Sequence, residues 1–203
     1  MKSTDALALL EYDSLALGIA AVDRMLKASP IALLKCGAVH PGRWLALIGG
    51  SVASVEAAYA AGVEETDDAV LLRDPHPALR AALAGRPAGL RPDFALGALE
   101  TGSAATLLKA VDAALKAAPV GLAELRLCDD LGGRGLALLH GELADVQAAL
   151  AAGCEMAAPA GRLSGRTLTP RLDAHFCGVL NAGTSFRDCV AAEPAGAEYP
   201  EGR

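Results

Sequence analysis

The sequence predicts an α+β protein made of two tandem ferredoxin-like (split βαβ) domains, each a four-stranded antiparallel sheet with helices over one face. Three observations predict it. The chain repeats itself: ALALLE at 6–11 answers ALGALE at 95–100, and VDRMLKASP at 22–30 answers VDAALKAAP at 111–119, both at an offset of 89 residues. A Gly-containing hairpin, KCGAVHPGRWLALIGG at 35–50, has a counterpart in ELRLCDDLGGRGLALLHG at 124–141, where the offset has grown to 91, so two extra residues lie in the second turn. In each copy, short apolar runs and stretches of helical period follow one another in the order β-α-β-β-α-β, with a short helix after the last strand.

The elements follow in order. Residues 6–11 are a short apolar run, and Ser14 offers an N-cap to LALGIAAVDRMLKA, whose apolar residues recur at helical spacing until Pro30 stops them. Apolar runs at 31–34 and 44–48 flank a turn at 37–43 and read as an antiparallel hairpin. Gly49-Gly50-Ser51 opens a helix over VASVEAAYAAGVEET, residues 69–72 form a fourth strand, and Pro75-His76-Pro77 starts a short helix with proline in its first turn. GRPAGLRPD, ending at Asp93, has the Pro and Gly content of a linker. The second copy reads strand 94–100, helix 103–118, strand 120–127, strand 136–139, helix 142–158 and strand 166–169, with a short helix from Pro170-Arg171. The expected organisation is a first domain at 1–85, a linker at 86–93, a second domain at 94–190 and a flexible polar tail at 191–203.

Each half is small, so burial against its sibling or against other subunits is expected to add to stability. The chain is 53% hydrophobic and 3% aromatic, a balance set by alanine and leucine that favours close helix packing and a large subunit interface. No apolar stretch is long enough for a membrane helix, and MKSTDALALLEYDS lacks the features of a signal peptide, so a cytoplasmic location with no membrane partner is expected. The net charge of −6 and the lack of a Lys/Arg run argue against nucleic acid. Five cysteines without CxxC spacing read as free or buried thiols.

No GxxxxGK[ST], GxGxxG, HExxH or GxSxG motif is present, and the four histidines fall on separate elements. Asp129-Asp130 reads as a solvated turn, and the glycines at 132–135 sit at a hairpin tip, away from the helix N-terminus where a phosphate loop gains its field. No catalytic residue is expected, and the chain does not read as an enzyme.

ALALLEY, GIAAVDRMLKASP, the Pro-Gly hairpin, LALIGG, SVASVEAAYAAG and LLRDPHP, and still more closely ALGALET, AVDAALKAAPV, GLALLHGELADVQAALAAG and LTPR, resemble the bacterial microcompartment shell domain. The likeness covers about residues 5–180, in two unpermuted copies, and is similar to tandem-domain shell proteins of the single-layer, propanediol-utilisation-like type. The resemblance implies a structural shell protein whose homotrimer forms a pseudohexameric tile, with hexameric and pentameric shell proteins as partners in the sheet and a central pore for small metabolites. By position it assigns the pore lining to Ala38, Val39, His40, Pro41 and Gly42 of the first copy and to Asp129, Asp130, Leu131, Gly132, Gly133 and Arg134 of the second. It assigns tile-edge contacts to Lys27 and Lys116, and to Arg171, which Asp74 replaces in the first copy, so the two edges should differ.

Some members of this class hold an iron–sulfur cluster through a cysteine just before the Pro-Gly; here His40 stands there. Three imidazoles would suit zinc, copper or nickel better than a cluster, so His40 is the one metal candidate, and the favoured state is a pore without cofactor. Cys36 and Cys128 read as small packing residues. Two other functions fit the repeat: a tandem ferredoxin-like ligand-binding regulatory module, and an electron-transfer shell protein with a metal in its pore.

Overall fold

The computed structural model describes residues 5–190 together with 192, 194 and 195. Apart from those three positions, the tail expected at 191–203 lies outside the described residues.

In the first copy, β1 (Ala6–Tyr12) is buried along its whole length, which suits a strand that is apolar on both faces except at Glu11. α1 (Leu15–Ala28) begins where the Ser14 hydroxyl accepts from the Leu17 N–H, and α2 (Val52–Gly62) where Ser51 accepts from Ser54. β2 (Ala32–Val39) and β3 (Arg43–Gly50) form the hairpin. After a 3₁₀ turn at Val63–Glu65 come β4 (Asp68–Leu72) and α3 (Pro77–Leu83). The second copy repeats the series as β5 (Ala95–Thr101), α4 (Ala104–Ala117), β6 (Gly121–Leu127), β7 (Gly135–Gly141), α5 (Leu143–Ala157), β8 (Leu163–Thr169) and α6 (Ala174–Asn181). The sheets run β2-β3-β1-β4 and β6-β7-β5-β8, antiparallel throughout.

Three boundaries differ from the sequence expectation. β2 does not end at residue 34 but continues to Val39, because the register slips between Leu33 and Lys35 and breaks the period-2 pattern while the ladder goes on to Val39 and Arg43. β6 slips at the matching place, between Leu122 and Glu124. β8 starts at Leu163, whose pairing with Thr101 also follows a register shift. The last helix starts at Ala174 rather than at Pro170-Arg171, since the Asp173 carboxylate accepts from the His175 and Phe176 N–H groups and fixes the N-cap there.

One face of the first sheet packs on α1 and α2 through Leu10, Tyr12, Met25, Ile48 and Val55. Its other face, with Leu9, Leu45, Leu47 and Val70, joins Leu79 of α3 in a single cluster with α4 and the core of the second copy. The two halves therefore meet through a surface packed like an interior, which supplies burial that neither small half holds alone.

Candidate functional site

The two hairpin tips stand side by side. The first turn closes through a hydrogen bond from Gly42 N–H to Val39 carbonyl (2.8 Å), with a cis His40–Pro41 bond and Gly42 at φ 111°. The second is a longer loop in which Cys128, Asp130, Gly132 and Gly133 take φ values of 66°, 59°, 60° and 84°. So many left-handed residues curl the chain tightly enough for Cys128 N–H to reach the Arg134 carbonyl at 3.1 Å. A Cβ built on Gly133 would come within 3.3 Å of Pro41, and the Arg43 guanidinium donates to the Gly133 carbonyl at 3.5 Å. Lys35 Nζ and Asp129 Oδ2 are 3.4 Å apart across the same gap. Among the residues expected at a pore, His40, Pro41, Gly42, Asp129, Asp130, Gly132 and Arg134 are exposed, as is Ala38, whereas Gly133 is buried and Val39 and Leu131 are half-buried. Arg134 pairs with Glu100 at 3.0 Å.

Cys128 is buried, its Sγ is 3.2 Å from the Gly133 carbonyl, and burial, followed by the charge of Glu11, pushes its thiol up to about 12. It is a protonated packing group, as is the half-buried Cys36, whose thiol burial also raises. Among the described residues no three His, Cys, Asp or Glu side chains of one chain stand together as metal ligands, so a site at His40 would need imidazoles from other copies.

Beside the tips, the seam between the copies is polar. Glu11 is wholly buried; its Oε1 accepts from the Ala105 N–H at 2.5 Å, at the start of α4. Its Oε2 has no hydrogen bond and lies 3.6 Å from Arg43. Burial, opposed by the Ala105 N–H and aided by the negative Asp68, pushes the Glu11 carboxyl up to about 7. Asp68 accepts from the Ser103 and Thr106 hydroxyls, and Arg162 spans to Asp67 (3.1 Å) and Asp68 (3.8 Å). This network was not singled out from sequence; a lone glutamate in an otherwise apolar strand was its one signal.

The expected edge residues are treated unequally. Lys116 is bound inside the chain, to Asp112 and to the Asp74 carbonyl, both at 2.6 Å, and Asp112 also accepts from the His76 N–H at 2.7 Å. Lys27, the matching residue of the first copy, is exposed and touches Asp23 at 2.5 Å. Arg171, at the place of Asp74, is exposed. The structure thus brings Lys116 and Asp74 together and leaves Lys27 and Arg171 apart.

Two apolar surfaces that sequence reading did not mark complete the picture. α1 shows Leu15, Leu17, Ile19 and Leu26 to solvent at 38–54% exposure, and α6 shows Phe176 at 51%. Their counterparts in the other copy, Ala104, Thr106, Leu108 and Leu115 of α4 and Leu79 of α3, are all at 5% or less.

Comparison with known proteins agrees with this architecture. A family model described as BMC domain matches residues 6–75 and again 95–172. The chain is 31% identical over 172 residues to the bacterial microcompartment shell protein PduT of Citrobacter freundii, covering 83% of this chain and 93% of that protein. It superposes on the crystal structure of a microcompartment protein from Desulfitobacterium hafniense with a TM-score of 0.72 and 34% identity, over 86% of this chain and 98% of the other. A fused permuted hexameric shell protein of the RMM microcompartment shares the fold, with a TM-score of 0.56 and 21% identity over 78% and 87% of the two chains. No helix among the described residues is long and apolar enough to cross a membrane. Two matched copies, joined in one polypeptide and folded alike, make this chain a member of the BMC-domain family with the domain in tandem.

Proposed function

We propose that the chain is a structural, non-catalytic shell protein of a bacterial microcompartment, and that three copies close into a pseudohexagonal tile whose central pore is edged by the hairpin tips. The observation that carries the reading is the unequal burial of matched helices. Inside one chain, the second face of the first sheet and Leu79 cover α4, while Glu11 caps its start and the Asp74 carbonyl binds Lys116 near its end. On the corresponding surface of the second copy, Ala98 and Leu136 are half-buried beside Cys177 of α6 and Glu100 pairs with Arg134, but Phe176 and Arg171 are exposed, and the first copy offers α1 with its apolar residues bare.

Repeating the in-chain relation seats α1 of the next chain against the second copy of this one. This is a heterologous contact, and a step of about 60° per domain closes after three chains. Burying the four bare α1 side chains would contribute on the order of 1 kcal/mol each at every seam. His40 and Arg134 would then recur three times around one axis, with His40 as a free imidazole. Such tiles would lie beside hexameric and pentameric shell proteins, and small metabolites would cross at the axis. The relatives named above support this role by what they are called: shell and microcompartment proteins.

Light scattering on the purified protein tests the closure. A mass three times that of the chain is expected, with six-cornered particles or sheets by electron microscopy; a stable monomer over the micromolar range would overturn it.

A further inference from the structure

The two copies differ at one niche beside the hairpins, and the difference points to a ligand. In the second copy the outer sheet face next to the hairpin is covered by the chain itself. Thr184 docks there, its N–H and hydroxyl both donating to Glu124 Oε1 (3.2 and 2.9 Å), while Arg126 donates to the Thr184 hydroxyl at 3.2 Å. A single hydroxyl thus bridges a cation and a carboxylate. By register, Lys35 occupies the place of Glu124, since Lys35 faces Leu47 as Glu124 faces Leu138.

Among the described residues no segment docks over that place in the first copy as Thr184 does in the second. What remains is a crevice of about 170 Å³ whose floor is Leu9, Val39 and Leu45, whose wall is open at Gly37, and whose mouth holds Lys35 and Asp129. The ammonium and carboxylate there are 3.4 Å apart and both side chains are largely exposed, so their contact is weak and easily parted.

We propose that this crevice binds a small neutral alcohol of about three to five carbons, a size consistent with a volume of a few water molecules. Its hydroxyl takes the bridging role that Thr184 plays in the second copy, accepting from Lys35 and donating to Asp129, and its carbon chain lies on Leu9, Val39 and Leu45. A carboxylate of the same length would meet the negative Asp129, and an amine the positive Lys35. Only a group that both donates and accepts satisfies the two at once. The inference rests on contacts within one chain and stands apart from the trimer reading.

Saturation-transfer NMR on the full-length protein tests it, with 2-butanol as probe and butyrate and n-butylamine as charged counterparts. For a ligand of five heavy atoms a dissociation constant in about the millimolar range is expected. The charged counterparts should bind about tenfold more weakly, the effect of one unfavourable polar contact. A Cβ at position 37, on the crevice lining, would meet nothing within 4 Å, so Gly37→Val should narrow the crevice and abolish the 2-butanol signal at an unchanged melting temperature. Lys35→Met combined with Asp129→Asn, which needs no change of packing, should weaken 2-butanol by about tenfold. Equal binding to Gly37→Val and the parent, undiminished binding to the double variant, or tighter binding of either charged counterpart would overturn the proposal.

Discussion

Glu11 shows how much one residue can set. Its carboxyl is raised from an ordinary 4.5 to about 7, first because burial removes water from the charged form. The sign follows from proton counting. Below pH 4.5 folded and unfolded chains both hold the proton; between 4.5 and about 7 the folded chain keeps it and the unfolded chain releases it, so this contribution to stability is lost as pH rises through that window. Glu11→Gln keeps an acceptor for the Ala105 N–H and removes the titration. Urea unfolding of the variant between pH 4.5 and 7 should show this loss, worth about 1.4 kcal/mol per pKa unit, largely gone; an unchanged pH slope would mean that Glu11 is not the group responsible. His140 works in the opposite sense. It is buried with both ring nitrogens unpartnered, and burial, then Arg91, lowers its pKa, so the stability it protects is present above the imidazole's usual 6.5 and is lost as pH falls below it. Its ring fits only because residue 121 has no side chain: a Cβ there would stand 2.3 Å from His140 Nε2. Gly121→Ala should cost roughly 1–3 kcal/mol, the usual penalty for overpacking. In a double-mutant cycle with His140→Ala, the combined cost should be less than the sum, because the second change removes the clash the first creates.

Among elements, α1 and α4 are the instructive pair. They share the VD(R/A)(M/A)LKA motif and serine N-caps, yet α4 is enclosed and α1 has one side bare. Periodicity, the Ser14 cap and turn glycines were legible because they are local, and the repeated strand order emerged from them. The bulges at Leu34 and Ala123 were not, since a single unpaired residue erases the alternation that marks a strand. The wider omission was the role of the face. Leu15, Leu17 and Ile19 read as ordinary members of an apolar helix, and only the three-dimensional pairing of copies reveals that they lie outside their own core. Of the candidate site, the tips were legible from their glycines, whereas Glu11, Asp68 and Arg162 meet only across the fold. If α1 is the surface that a second chain covers, Ile19→Asp should leave the unfolding midpoint of the isolated chain within a fraction of a kcal/mol, as exposed substitutions do, while shifting the light-scattering mass from three chains to one. Retention of the full mass would remove α1 from the contact.

At the scale of the whole molecule, the duplication supplies its own control, because each position has a twin in a different setting. Leu79 and Phe176 each lie two residues after the first residue of the helix that follows the last strand of their copy, α3 and α6. Leu79 is wholly buried in the contact with the second copy, and Phe176 is 51% exposed at the surface where the same contact would recur between chains. The same substitution should therefore have two different outcomes. Leu79→Ala removes a side chain from a packed interior and should lower chain stability by about 2–5 kcal/mol, seen as a fall in the urea midpoint at any protein concentration. Phe176→Ala should leave the midpoint of dilute, dissociated protein nearly unchanged and instead raise the concentration needed for association by at least tenfold, since each 1.4 kcal/mol of lost contact is tenfold in the dissociation constant. Sedimentation over a dilution series separates the two. Midpoint losses of equal size, with no change in association for Phe176→Ala, would show that the exposed ring is not the counterpart of Leu79, and that the second copy meets its neighbour by a different face or not at all.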